Sequence, residues 1–135
     1  MKPLQTLVGV YLVFSTCHAF AQTRWIKIDS NETSTAYVDS EVIPVIDTPF
    51  LKIIKVWELI DYKTPQSGGN FSYSSELLQS KYNCKEQTVA DIYHAFKPQR
   101  MGKGDSILPE NNPTTFMPIE PDSWLKKVWS YACNK

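Results

Sequence analysis

Apolar and polar residues alternate with a period of two along most of this 135-residue chain, and with a helical period only near its end. Residues 25–29 (WIKID) read as a short strand and residues 35–39 (TAYVD) as a second, joined by the polar turn at residues 30–34. Residues 50–62 (FLKIIKVWELIDY) are the longest predicted strand. One of its faces carries Leu51, Ile53, Trp57 and Leu59, the other Ile54, Val56 and Ile60. Apolar groups on both faces predict a central strand covered on both sides, by a helix on one and a second subunit on the other. Its β-branched residues argue against the alternative, a buried helix.

Residues 65–70 (PQSGGN) signal a turn. Residues 71–86 and 88–96 read as two antiparallel strands about a tight turn near Lys85, Glu86 and Gln87, which lacks the Asn-Gly or Asp-Gly that sets hairpin register. Residues 97–104 are expected to be a loop. Residues 109–121 hold four of the nine prolines and are expected to be irregular. Asp122 or Ser123 caps a final helix to about Cys133, whose apolar stripe is Leu125, Val128, Trp129 and Ala132. These elements predict an α+β fold: a single antiparallel sheet of five or six strands with one C-terminal helix packed on it.

The first 21 residues stand apart from this pattern. Lys2 precedes an unbroken apolar run, residues 7–14, which is too short for the roughly 20 residues of a membrane span. Ala19-Phe20-Ala21 is an A-x-A-like cleavage site, so residues 1–21 read as a signal peptide cut between Ala21 and Gln22. Residues 22–135 are then one domain. A lipid anchor on Cys17 is the minor alternative, because Thr16 and Phe14 match a lipoprotein signal poorly.

Composition narrows the function. The chain carries 14 basic and 14 acidic groups, and loss of Lys2 with the signal leaves a net charge of −1. That balance gives no electrostatic case for nucleic acid or an anionic membrane as the main partner. Hydrophobic residues make up 42% and aromatics 13%, enough for a packed core. Loss of Cys17 leaves Cys84 and Cys133, and an even count in an exported chain predicts a disulfide. Cys84 shares a strand face with Ser80 and Tyr82, and Cys133 falls on the helix stripe, so the bond ties helix to sheet. Two cysteines so far apart match neither a redox pair nor a zinc site.

His94 is the one histidine left after cleavage, with Asp91 three residues before it. A period of two points them to opposite strand faces, which disfavours a general base with an orienting carboxylate. Gly102-Lys103-Gly104 lacks the spacing of a phosphate loop. Asn31-Glu32-Thr33 and Asn70-Phe71-Ser72 match the glycosylation sequon. Trp25, Trp57, Trp124 and Trp129 sit at core-like positions, which leaves Tyr62, Tyr73 and Tyr93 as the better candidates for a binding surface.

Six segments in order carry a family resemblance. They are Trp25-Ile26-Lys27-Ile28, Ala36-Tyr37-Val38-Asp39, residues 56–66 (VWELIDYKTPQ), Tyr82-Asn83-Cys84-Lys85, Met101-Gly102-Lys103-Gly104 and Trp129-Ser130-Tyr131-Ala132-Cys133. Together they resemble the surface-adhesin protein E-like domain of bacterial exported proteins. The resemblance implies a single antiparallel sheet with a C-terminal helix tied to it by Cys84 and Cys133, and a periplasmic, secreted or envelope location. It also implies a possible host extracellular-matrix partner, after the family's name-giving adhesin, and dimers.

The reading is therefore a non-catalytic exported binding module, adhesin-like, that recognises a protein or envelope component. Its recognition loops are expected at residues 62–66 and 97–104, with Tyr62, Lys63, Gln66, Arg100 and Lys103 as candidates. The first alternative is a periplasmic structural or assembly protein acting as a homodimer. The second is a small hydrolase using Asp91 and His94. No cofactor, metal, nucleic-acid partner or transmembrane segment is expected.

Overall fold

A computed structural model describes residues 24–135, so the expected signal peptide, the Ala21–Gln22 cleavage site and Cys17 lie outside the described residues. The strands are β1 (Trp25–Ser30), β2 (Ser34–Asp47), β3 (Lys52–Ser67), β4 (Ser72–Asn83), β5 (Thr88–Lys97), β6 (Ile107–Asn111) and β7 (Met117–Pro118). One helix, α1 (Trp124–Cys133), follows them. All pairs are antiparallel, in the order β1-β2-β3-β4-β5-β6, and β7 pairs with β5 beside β6.

The sheet thus has seven strands, not five or six. The additional strands lie in or beside the proline-rich stretch read as irregular. Proline removes a ladder donor, which an outer edge tolerates. Pro118 pairs with Thr88 on such an edge, and Pro109 falls at an irregularity in the β5–β6 ladder.

Two strands run well past their expected ends for the same reason. β2 continues to Asp47 through register shifts on either side of Pro44, where β1 no longer flanks it. β3 continues to Ser67, with Pro65 inside a bulge between Asp61 and Gln66. The turn after it is therefore shorter than expected: the Gly68 N–H donates to the Phe71 carbonyl at 2.9 Å, and Gly69 adopts a φ of 95°.

The side chains of the other turns explain why they form. The Asn31 side-chain oxygen accepts from the N–H groups of Thr33 and Ser34, each at 2.9 Å, closing the β1–β2 turn. Asn83 does the same for Lys85 and Glu86, and Gln87 takes a left-handed φ of 55°. That geometry replaces the missing Asn-Gly.

The core lies between α1 and one face of the sheet. Val38, Ile54, Val56, Tyr82, Val128 and Ala132 are buried there. Ser123, not Asp122, caps the helix: its Oγ accepts from the Lys126 N–H at 3.3 Å. The Cys84–Cys133 disulfide joins the end of α1 to the sheet, with Cα atoms 5.6 Å apart. Lys52 Nζ donates to the carbonyls of Cys133 and Lys135 at 3.2 and 3.4 Å, where a helix end leaves acceptors unmet.

The expected second cover on β3 comes partly from the chain itself. The loop after β5 makes a 3-10 turn at Arg100–Gly102 and lies on the opposite face of the sheet. The Ser75 hydroxyl donates to the Gln99 carbonyl at 2.6 Å and accepts from the Gly102 N–H at 2.9 Å. Gly102 has a φ of 71°, and a Cβ there would stand 3.2 Å from Leu59. A left-handed conformation and a close approach together require glycine.

Candidate functional site

The helix covers only part of its sheet face. Beyond it, the same three central strands bring together Tyr62 from β3, Tyr73 and Glu76 from β4, and His94 and Phe96 from β5. Phe71 joins them from the turn before β4. All six are half-buried. The Tyr62 hydroxyl donates to Glu76 Oε2, and His94 Nε2 lies 2.7 Å from Glu76 Oε1. Glu76 is thereby held from two sides, with its side chain 15% exposed.

The aromatic rings pack on one another edge-on or tilted. Tyr73 and Phe96 have centroids 4.6 Å apart, Phe71 and Phe96 5.2 Å, and Tyr62 and Tyr73 5.7 Å. Such pairs hold rings in place while leaving a surface that is apolar in body and polar at its tips. Burial, and then the hydrogen bond and charge of Glu76, push the Tyr62 hydroxyl pKa up. Burial followed by the Glu76 charge acts on Tyr73 in the same direction.

A cavity of about 180 Å³ adjoins this cluster, lined among others by Asp29, Asn31, Ser34, Ile60, Tyr62 and Trp124. Asp29 Oδ1 accepts from Lys127 Nζ at 2.9 Å, and this bond holds its carboxyl below the usual range. The cavity is half open to solvent. It suits contact with a ligand's face more than enclosure of a small substrate.

Glu58 occupies the boundary between the core and the aromatic face, and it is fully buried. Its carboxyl group accepts from the Tyr82 hydroxyl and, at 3.0 Å, from Ser80 Oγ. Burial pushes its pKa up to about 7, against the two hydrogen bonds, which act in the other direction.

The sequence-predicted residues divide between two faces. Residues 62–66, expected to be a loop, are strand residues of β3. Tyr62 lies in the aromatic cluster. Lys63 Nζ donates to the Asn31 carbonyl at 2.7 Å, and Gln66 pairs with Tyr73. Arg100 and Lys103 are on the other side of the sheet. Arg100 Nε donates to the buried Asp61 carboxylate at 2.8 Å, and the Met101 N–H donates to it at 2.7 Å, so Arg100 fastens its loop to the sheet. Lys103 is exposed, with its backbone N–H on the Arg100 carbonyl.

Asp91 and His94 are also placed differently from the expectation. The ladder passes from Tyr93 opposite Gln79 to Asp91 opposite Ser80, which leaves Ile92 as an extra residue. This bulge brings Asp91 and His94 onto one face, where strict alternation separates them. Even so, the carboxylate bonded to His94 is that of Glu76. Among the described residues no group of three His, Cys, Asp or Glu side chains could hold a metal ion.

Glu76, Phe71 and Phe96 escaped the sequence reading. The alternation of β4 places Glu76 on the same face as Ser80 and Tyr82, a usable signal. The bulge in β5, which sets the face of His94, left no such mark.

The fold is shared with solved structures. Crystal form II of Haemophilus influenzae protein E superposes with a TM-score of 0.65 at 17% identity, over 84% of this chain and 90% of that one. Another structure of Haemophilus influenzae protein E gives 0.63 at 16% identity, over 84% and 86%. Protein E from non-typeable Haemophilus influenzae gives 0.62 at 16% identity, over 86% and 79%. No curated protein matches this chain. Among the described residues no helix is long and apolar enough to cross a membrane. The family model described as surface-adhesin protein E matches residues 25–134, nearly all of the sheet and helix just described, and the chain therefore belongs to the surface-adhesin protein E family, which implies an exported or surface location.

Proposed function

We propose that residues 22–135, freed by cleavage between Ala21 and Gln22, form a non-catalytic exported binding module that recognises a protein or envelope component through the aromatic face around Glu76. A host extracellular-matrix protein is the first partner to test. The carrying observation is the half-buried cluster of Tyr62, Phe71, Tyr73, His94 and Phe96 around a carboxylate held from two sides. Aromatics on a rigid scaffold are the side chains that most often dominate binding energy. That His94 is bonded to Glu76 and not to Asp91 supports recognition over the hydrolase reading with Asp91.

The test is binding of immobilised matrix proteins and envelope fractions by the parent, Tyr73→Ser and Lys103→Ser. Loss confined to Tyr73→Ser supports the aromatic face. Loss confined to Lys103→Ser moves the site to the opposite side of the sheet. Ester or peptide hydrolysis that disappears in His94→Ala overturns the non-catalytic reading.

A periplasmic assembly role as a homodimer is the second reading. It draws support from a groove of about 390 Å³ on the opposite face, lined in part by half-buried Trp25, Trp57, Leu77 and Met101. Sedimentation equilibrium at micromolar concentration separates it from a monomeric module.

A further inference from the structure

The aromatic face occupies one end of the central strands, and the β2–β3 hairpin tip closes the other. This tip is well made. The Thr48 N–H donates to the Leu51 carbonyl at 2.9 Å, and Thr48 Oγ1 accepts from the Leu51 N–H at 2.9 Å. It nevertheless holds Phe50 with 90% of its surface in water, beside Val45 at 45% and Ile46 at 38%. A closed turn that fixes a phenyl ring away from the body of the fold contributes nothing to its core.

Cations surround the same end. Lys55 and Lys81 stand directly opposite each other on β3 and β4, and neither has an anionic partner within ion-pair distance among the described residues. Like charges directly opposed on neighbouring strands repel. Lys85 follows Cys84, whose N–H donates to the Lys52 carbonyl, and the Lys135 carbonyl accepts from Lys52 Nζ, so both lie near the base of the hairpin. The carboxylates nearby are Asp47, opposite Lys52, Glu86 in the β4–β5 turn, Glu41 further back along β2, and the α-carboxyl group of Lys135 beside Lys52.

We propose that this tip docks on an anionic lipid surface, with Phe50 entering the interfacial layer and Lys55, Lys81, Lys85 and Lys135 facing the headgroups. A convex apolar tip ringed by cations complements a fluid, negatively charged plane: the ring gains burial, and the opposed lysines gain counter-charge. The overall charge near zero conceals this local excess. Docking at the tip turns the aromatic face away from the membrane, at the far end of strands on the order of 50 Å long.

The experiment is co-sedimentation of the processed soluble chain with vesicles of phosphatidylglycerol and phosphatidylcholine in equal parts, and with phosphatidylcholine alone. The expected result is binding to the first only, weakening as salt is raised. Phe50→Ser should bind about tenfold more weakly, since it removes the burial of one aromatic side chain. Lys55→Gln and Lys81→Gln should each cost about fivefold. Circular dichroism confirms folding of Phe50→Ser, whose side chain packs on nothing. No binding to the anionic vesicles, or equal binding by Phe50→Ser and the parent, overturns the proposal. Equal binding to both vesicle types overturns the role of the lysines.

Discussion

Two halves of one sheet face are built from the same strands and treat their side chains in opposite ways. Under α1, Ile54, Val56 and Tyr82 are buried against Val128 and Ala132, and a disulfide holds the cover in place. Past the start of the helix, Tyr62, Tyr73 and Phe96 remain half-buried and gather around a hydrogen-bonded carboxylate. The amount of apolar surface does not separate the two halves, since both are rich in it. A second layer does. The covered half supplies stability, and the uncovered half keeps rigid aromatic surface available for contact.

The strongest test of that division removes the staple. Cys84→Ser/Cys133→Ser should lose about 4 kcal/mol in urea unfolding, the chain-entropy value for a separation of 49 residues. Unfolding at the parent's midpoint under oxidising conditions would show that the covered half does not depend on the bond.

The boundary between the halves responds to pH. Glu58 has a folded-state pKa raised from 4.5 to about 7 by burial, so the folded protein binds its proton more tightly than the unfolded chain. Below pH 4.5 both states hold the proton. Between pH 4.5 and 7 the unfolded chain releases it first, and stability should fall by about 3 kcal/mol as pH rises, then level off. Glu58→Gln keeps acceptor and donor groups for Tyr82 and Ser80 and should remove this slope. A parent and a variant with parallel pH profiles would contradict the assignment.

Smaller effects should sort cleanly by half. Ser123→Ala removes the α1 cap and should cost about 1 kcal/mol of global stability, read by thermal or urea unfolding. Tyr62→Phe deletes one hydroxyl on the uncovered face and should cost about 0.5–1 kcal/mol. Its larger effect should be on ligand binding, because Glu76 then keeps only His94 as a partner. Equal loss of stability with no change in binding would remove the functional distinction between the halves.

Much of the fold was legible from local pattern. The alternation around Ile54 and Val56, the helical stripe of Val128 and Ala132, and the pairing of Cys84 with Cys133 all follow from side chains that repeat with the period of their element. The site was less so. Tyr62 reads as the start of a loop, because Pro65 signals a turn when the bulge that accommodates it is invisible. Strict alternation sends Asp91 and His94 to opposite faces, and an extra residue, Ile92, resets the count. Arg100 reads as a free loop side chain because its partner Asp61 is far away in sequence.

The sequence by itself determined the antiparallel α+β class, the stripe of the last helix, and the cysteine staple. Each depends on spacing within a few residues or on a count. Only the tertiary structure decided where the helix stops covering the sheet and which bulge shifts β5, and therefore that Glu76 meets His94 as well as Tyr62. A one-residue bulge moves every following side chain to the other face, and it costs too little to leave a signal in composition or periodicity.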